Sequence, residues 1–75
     1  MPLAYLLINA KEYDPRLVKT LRETRGVEEA YPLYGVYDII ATTRADTMNK
    51  LKEIHDKIRK LENVRQTLTM IAHEG

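Results

Sequence analysis

The sequence predicts an α+β domain, a ferredoxin-like sandwich in the order βαββαβ, from three features of the chain. Short apolar, β-favouring segments alternate with two stretches of helical spacing. The segments "RGVEEAY" and "ENVRQTL" stand at equivalent points of two halves, each leaving a helix and opening a strand. The two helices carry apolar residues on one side only, so they suit one face of an antiparallel sheet.

Residues 3–10, "LAYLLINA", read as the first strand. Asp14 and Pro15 then start a helix, Asp as N-cap and Pro preset for the first helical position. Leu17, Val18 and Leu21 form its apolar stripe, and Gly26 is the expected C′ residue. The second strand is "VEEAYPLY", in which Pro32 suits a sheet edge because its nitrogen offers no ladder bond. Gly35-Val36 reads as a two-residue type II′ turn between Tyr34 and Tyr37. The third strand is "YDIIATT".

The second helix runs from about Asp46 to Leu61, with Met48, Leu51, Ile54, Ile58 and Leu61 on one face. Lys50, Glu53, Lys57 and Lys60 occupy the other, and Glu53 and Lys57 are spaced for an i,i+4 pair. His55 lies beside the apolar face and reads as a half-buried packing residue; His73 falls near the end of the chain. Asn63 is expected to take the left-handed cap that Gly26 takes in the first half. The last strand is "VRQTLTMIA".

Seventy-five residues make one domain, 1–75, near the lower limit for a single core. Such domains gain support from disulfides, a metal or a partner subunit. There is no cysteine, and the two histidines lack ligand spacing, so a partner subunit is the expected support. Twelve Lys and Arg against 11 Asp and Glu argue against direct nucleic-acid binding. The longest apolar run, "LAYLLI", is far short of the roughly 20 residues of a membrane span. Met1 leads into it without a basic region or cleavage site, so the expected compartment is the cytoplasm. With no cysteine, serine, metal-spaced cluster or phosphate loop, the chain is not read as an enzyme, and no cofactor or metal is expected.

The strands do not alternate as a sheet with one wet face should. Leu3, Tyr5 and Leu7 point one way while Leu6 and Ile8 point the other; Tyr37 and Ile39 oppose Val36 and Ile40. Two helices cover one face only. The other is expected to meet a second copy sheet to sheet, since burial is worth about 25 cal/mol per Å² of apolar surface.

The run "GVEEAYPLYGVYDIIATT", an amphipathic helix and then "VRQTLT" resemble the ligand-binding (RAM) domain of the Lrp/AsnC transcriptional regulators. The shared features are a valine opening the second strand, G-x-Y-D at the hairpin (Gly35, Val36, Tyr37, Asp38) and V-x-x-T-x-T in the last strand (Val64, Thr67, Thr69). The resemblance implies a dimeric α/β-barrel type of sandwich, a homodimer that assembles into a larger ring such as an octamer. It implies a small-molecule effector, typically an amino acid, held at contacts between dimers by the hairpin and the last strand. Full-length members carry an N-terminal helix-turn-helix; this chain starts at the first strand and is read as a stand-alone form. Its expected partner is then a full-length regulator of the same family, not DNA. Asn63 departs from the glycine common at that point.

An α-amino acid brings an ammonium and a carboxylate. Asp38 suits the ammonium by a charge-assisted bond. Backbone N–H groups around Gly35 and Val36, with the Thr67 and Thr69 hydroxyls, suit the carboxylate. Tyr34, Tyr37 and Met70 suit the apolar remainder. Two plainer readings stand beside these: Gly35 serves the turn alone, and Asp38 pairs with a lysine or arginine. The function read from the sequence is an effector-binding and oligomerisation module that modulates transcription indirectly. The alternatives are a purely structural oligomerisation module or a small dimeric α/β-barrel enzyme.

Overall fold

Six elements follow one another in the expected order: β1 (Leu3–Ala10), α1 (Pro15–Glu23), β2 (Val27–Pro32), β3 (Ile39–Arg44), α2 (Met48–Arg59) and β4 (Val64–Ala72). They come from a computed structural model that describes residues 1–73. The four strands lie in the order β2-β3-β1-β4, and every neighbouring pair is antiparallel. This is the ferredoxin-like topology, with Pro32 on an edge strand.

Period-two alternation divides the sheet into two apolar faces. Ala4, Leu6 and Ile8 of β1 and Ile39, Ala41 and Thr43 of β3 are buried on the helix side. There they meet Leu17, Val18 and Leu21 of α1 and Leu51 and Ile58 of α2. Alanines at 4, 30 and 41, all essentially inaccessible, leave room for the larger helix side chains. On the other side Tyr5 lies opposite Thr42 and Met70, and Leu7 opposite Ile40 and Leu68. Ile40 in turn lies opposite Tyr31. Tyr5, Tyr31, Leu68 and Met70 remain 39–49 % exposed, so the predicted second apolar face exists and none of the described elements covers it.

The first helix starts as expected, and the second has a cap that the sequence reading did not name. Asp14 Oδ1 accepts from the Arg16 N–H at 2.9 Å, and the Arg16 side chain bonds the same carboxylate. That bonding holds the Asp14 carboxyl below the usual carboxylate range. Thr47 caps α2, its Oγ1 accepting from the Lys50 N–H at 3.2 Å. Among the described residues Glu53 and Lys57 do not form the i,i+4 pair their spacing suggested; the ion pair on α2 joins Asp56 and Arg59 at 2.8 Å, one turn apart.

Four local expectations are corrected. The two-residue turn is a longer loop: β2 ends at Pro32 and β3 begins at Ile39, and the closing bond runs from Leu33 N–H to Asp38 C=O at 2.8 Å. The reason is that the Asp38 N–H is turned to Ile8 C=O of β1 at 2.9 Å, which takes it out of the β2–β3 ladder. Gly35 has φ +128°, far from the roughly +60° of a type II′ turn. Gly26 does adopt positive φ, +96°, but as the third residue of a turn closed by Val27 N–H to Thr24 C=O at 3.1 Å, past the C′ position.

Among the described residues no non-glycine has positive φ, so Asn63 is not a left-handed cap. Its amide instead bonds the Glu12 backbone twice, Oδ1 accepting from N–H at 3.0 Å and Nδ2 donating to C=O at 2.8 Å. Its own carbonyl accepts from Lys11 N–H at 2.8 Å. His55 is fully rather than half buried, at 3 % exposure, with Nε2 2.8 Å from Thr43 Oγ1. Thr43 Oγ1 also donates to the Ala4 carbonyl at 3.3 Å, so the imidazole ties α2 to β3 and β1. Burial pushes the His55 pKa below 6.5; Arg59 adds to this and Asp56 opposes it.

Two outcomes follow for stability. A Cβ at Gly26 would collide with the Ile54 side chain, whereas one at Gly35 would meet nothing within 4 Å. Gly26→Ala should therefore cost ~2 kcal/mol or more, and Gly35→Ala about 1 kcal/mol from backbone strain alone, read from thermal melts. His55 is held neutral in the fold, so its contribution is complete above pH 6.5 and is lost as pH falls below that value toward the lowered folded pKa. The pH dependence of unfolding on that acid limb should flatten in His55→Leu; an unchanged limb would show that His55 does not carry it.

Candidate functional site

The site begins where β1 and β3 stop pairing, beyond Ile8 and Ile39. Asp38 supplies the bonds that the ladder lacks there. Its N–H donates to Ile8 C=O at 2.9 Å, its C=O accepts from Leu33 N–H at 2.8 Å, and its Oδ2 accepts from Ala10 N–H at 2.7 Å. The carboxylate thus takes the place of a strand carbonyl, with a charge-assisted bond in a half-buried setting. Its partner is a backbone N–H; among the described residues it pairs with no lysine or arginine. Oδ1 makes no hydrogen bond there and is left for another donor.

From this anchor the loop 33–38 stands clear of the sheet. Tyr34 is fully exposed, Val36 is 85 % exposed, and Gly35 has open space around it. Tyr37 is half-buried. The backbone N–H groups of the tip are consequently open to approach.

The eight predicted residues do not converge within one protomer. Thr67 lies opposite Ile8 and Thr69 opposite Leu6, which places both on the helix side of β4, with β1 between them and the loop. Arg59 Nε reaches Thr67 Oγ1 at 3.4 Å. Met70 lies opposite Tyr5 on the other face. A strand residue one position from Thr69 must point the opposite way, so Met70 cannot join the threonines in one pocket of the same chain.

The structure adds residues that sequence reasoning missed. A cleft of about 220 Å³ lies between α1 and the base of the loop, lined by Ala10, Val18, Pro32 and Ile39 together with the polar Tyr13, Asp14, Arg22 and Asp38. Arg22 Nε donates to the Ala30 carbonyl at 2.9 Å, and its guanidinium sits 5.7 Å from the centre of the Tyr31 ring. A broader groove of about 700 Å³ opens at the other end of the sheet. Its lining is charged, including the Arg44–Glu28 pair at 3.0 Å, and none of the eight residues reaches it. Among the described residues no three metal-ligating side chains come together, and no helix is long and apolar enough to cross a membrane.

Residues 3–74 match the family model for the Lrp/AsnC ligand binding domain. The chain belongs to that family. The crystal structure of FFRP-DM1 superposes with a TM-score of 0.90 at 36 % identity, over 97 % of this chain and 100 % of that one. The transcriptional regulator NMB0573 of Neisseria meningitidis, in complex with L-Met, gives a TM-score of 0.84 over 97 % of this chain and 50 % of that one. At 13 % identity that is a likeness of fold alone. A stretch of 59 residues, 79 % of this Lrp/AsnC domain, is 34 % identical to homocitrate synthase of Saccharolobus solfataricus. The match spans 13 % of that protein's length, as it does for the other curated relatives.

The two roles of Asp38 separate by substitution. Asp38→Ala leaves the Ala10 N–H without its acceptor and should cost about 1–3 kcal/mol in urea unfolding. Asp38→Asn keeps an acceptor oxygen and should cost less than half as much. Equal losses in both would mean that the charge, not the acceptor, holds the loop.

Proposed function

We propose that this Lrp/AsnC domain is an effector-binding and oligomerisation module for a small molecule of α-amino-acid chemistry. The observation that carries the reading is the loop 33–38, fixed at Asp38 yet unsupported from Tyr34 to Val36, in a chain that matches a ligand-binding family throughout. In this reading Asp38 Oδ1 accepts the ammonium, and the open N–H groups around Gly35 and Val36 donate to the carboxylate. Tyr34 and Tyr37 flank the ligand on the side of the loop.

Thr67 and Thr69 lie apart from the loop and on the opposite face of β4 from Met70, so in this reading either the threonines or Met70, not both, reach the loop from a given neighbouring protomer, at a contact between copies. The uncovered sheet face of Tyr5, Leu7, Ile40, Leu68 and Met70 supports a homodimer, and the loop tips would join dimers into a ring such as an octamer. Ligand occupancy then acts through its differential affinity for two assembly states, modulating a full-length regulator of the family in the cytoplasm. The amino-acid class is supported by the L-Met complex of the Neisseria regulator. The match to homocitrate synthase favours a second reading in which the controlled partner is a metabolic enzyme.

The test is a thermal-shift screen against the twenty amino acids, with native mass spectrometry of the same samples. One chemical subset should raise the melting temperature by several degrees at about 100 times Kd, where binding adds roughly 2.7 kcal/mol. Asp38→Asn should abolish that shift while keeping the native mass. No shift with any amino acid would overturn the reading.

A further inference from the structure

The cleft behind the loop bears on what the effector's side chain is. Resting on the reading of Asp38 as the ammonium acceptor, we propose that Arg22 is the specificity-determining residue. It selects an α-amino acid whose side chain ends in a carboxylate or carbonyl, an acidic one first.

Asp38 and Arg22 line the same cleft, which takes apolar walls from Ala10, Val18, Pro32 and Ile39. The other carboxylate in its lining, Asp14, is already paired with Arg16 at 2.8 Å. A ligand whose ammonium sits on Asp38 Oδ1 therefore has methylene-compatible walls beside it and a cation further along. Arg22 spends only Nε on the protein, on Ala30 C=O at 2.9 Å. Its terminal N–H groups have no hydrogen-bond or ion-pair partner among the described residues. The bond to Ala30 and the Tyr31 ring at 5.7 Å hold the guanidinium in place before any ligand arrives. A planar fork held in this way matches a carboxylate in two bonds and an amide carbonyl in one.

The size of the cleft also fits. The volume, about 220 Å³, is below the roughly 300–1,000 Å³ of sites for drug-sized ligands and suits a molecule of this size.

The experiment is calorimetric titration of the whole protein with L-glutamate, L-glutamine and L-methionine, which share chain length but differ in the side-chain end. Wild type should bind glutamate most tightly and methionine roughly tenfold or more weakly, the scale of one charge-assisted bond. Arg22→Met should bring glutamate down to the methionine level and leave methionine unchanged. Arg22→Lys, which keeps the charge without the fork, should fall between. Methionine binding wild type as tightly as glutamate would overturn the inference, as would an Arg22→Met protein that keeps the glutamate preference. If binding is lost in Asp38→Asn but indifferent to Arg22, the side-chain assignment fails and the effector reading stands. If no amino acid binds wild type, both fail.

Discussion

The bond from the Ala10 N–H to the Asp38 carboxylate is the constraint on which this end of the molecule depends. β1 continues past the last residue that β3 pairs with, so its final donor would face solvent or an unfilled gap. A carboxylate solves this in a way that a backbone carbonyl cannot, because it reaches across from a chain already turning away. The same residue spends its own N–H and C=O on Ile8 and Leu33. One side chain thus closes the central strand and sets where the β2–β3 connection leaves the sheet. An acid just before "II" in the sequence looks misplaced in a core strand; it is outside that strand, finishing its neighbour.

Much of the fold was legible because its signals are local and repeated. The bounds of β1 and β4 follow from β-favouring runs ended by polar residues, and the first helix start at Asp14 carries its own acceptor. The two-sided apolar pattern of Leu3 to Ile8 needs only strand parity. The errors share a cause, which is that a long-range partner outweighed a local preference. Gly35 suggested a tight turn, but Ile8 captured the Asp38 N–H and lengthened the loop. Asn63 suggested a left-handed cap, but the Glu12 backbone offered both a donor and an acceptor to its amide. His55 suggested a half-wet position, but Thr43 gave its ring nitrogen a buried partner.

The candidate site was legible in part. The residues Tyr34 to Asp38 were singled out by a motif; in the structure they form one loop, exposed at Tyr34 and Val36 and half-buried at Tyr37 and Asp38. Parity along β4 was available in the sequence and already separated Thr67 and Thr69 from Met70. Arg22 could not have been singled out: on α1 it is one of several exposed cations, and only the packing of α1 against β2 brings it to Ala30 and the edge of the cleft.

The two halves of the chain resemble each other, yet each holds a piece the other lacks. Gly26, at the end of the first half's helix turn, leaves a notch that Ile54 of the second half fills. Asn63, at the matching point of the second half, clips Glu12 of the first. β1 is threaded between β3 and β4, both from beyond the midpoint. The pseudo-repeat is therefore interlocked rather than tandem. A half-length fragment would carry a bare notch or a bare amide and a strand with no neighbours. A half-length unit of this kind could build the sheet only with a second half beside it, because β1 has its neighbours in β3 and β4.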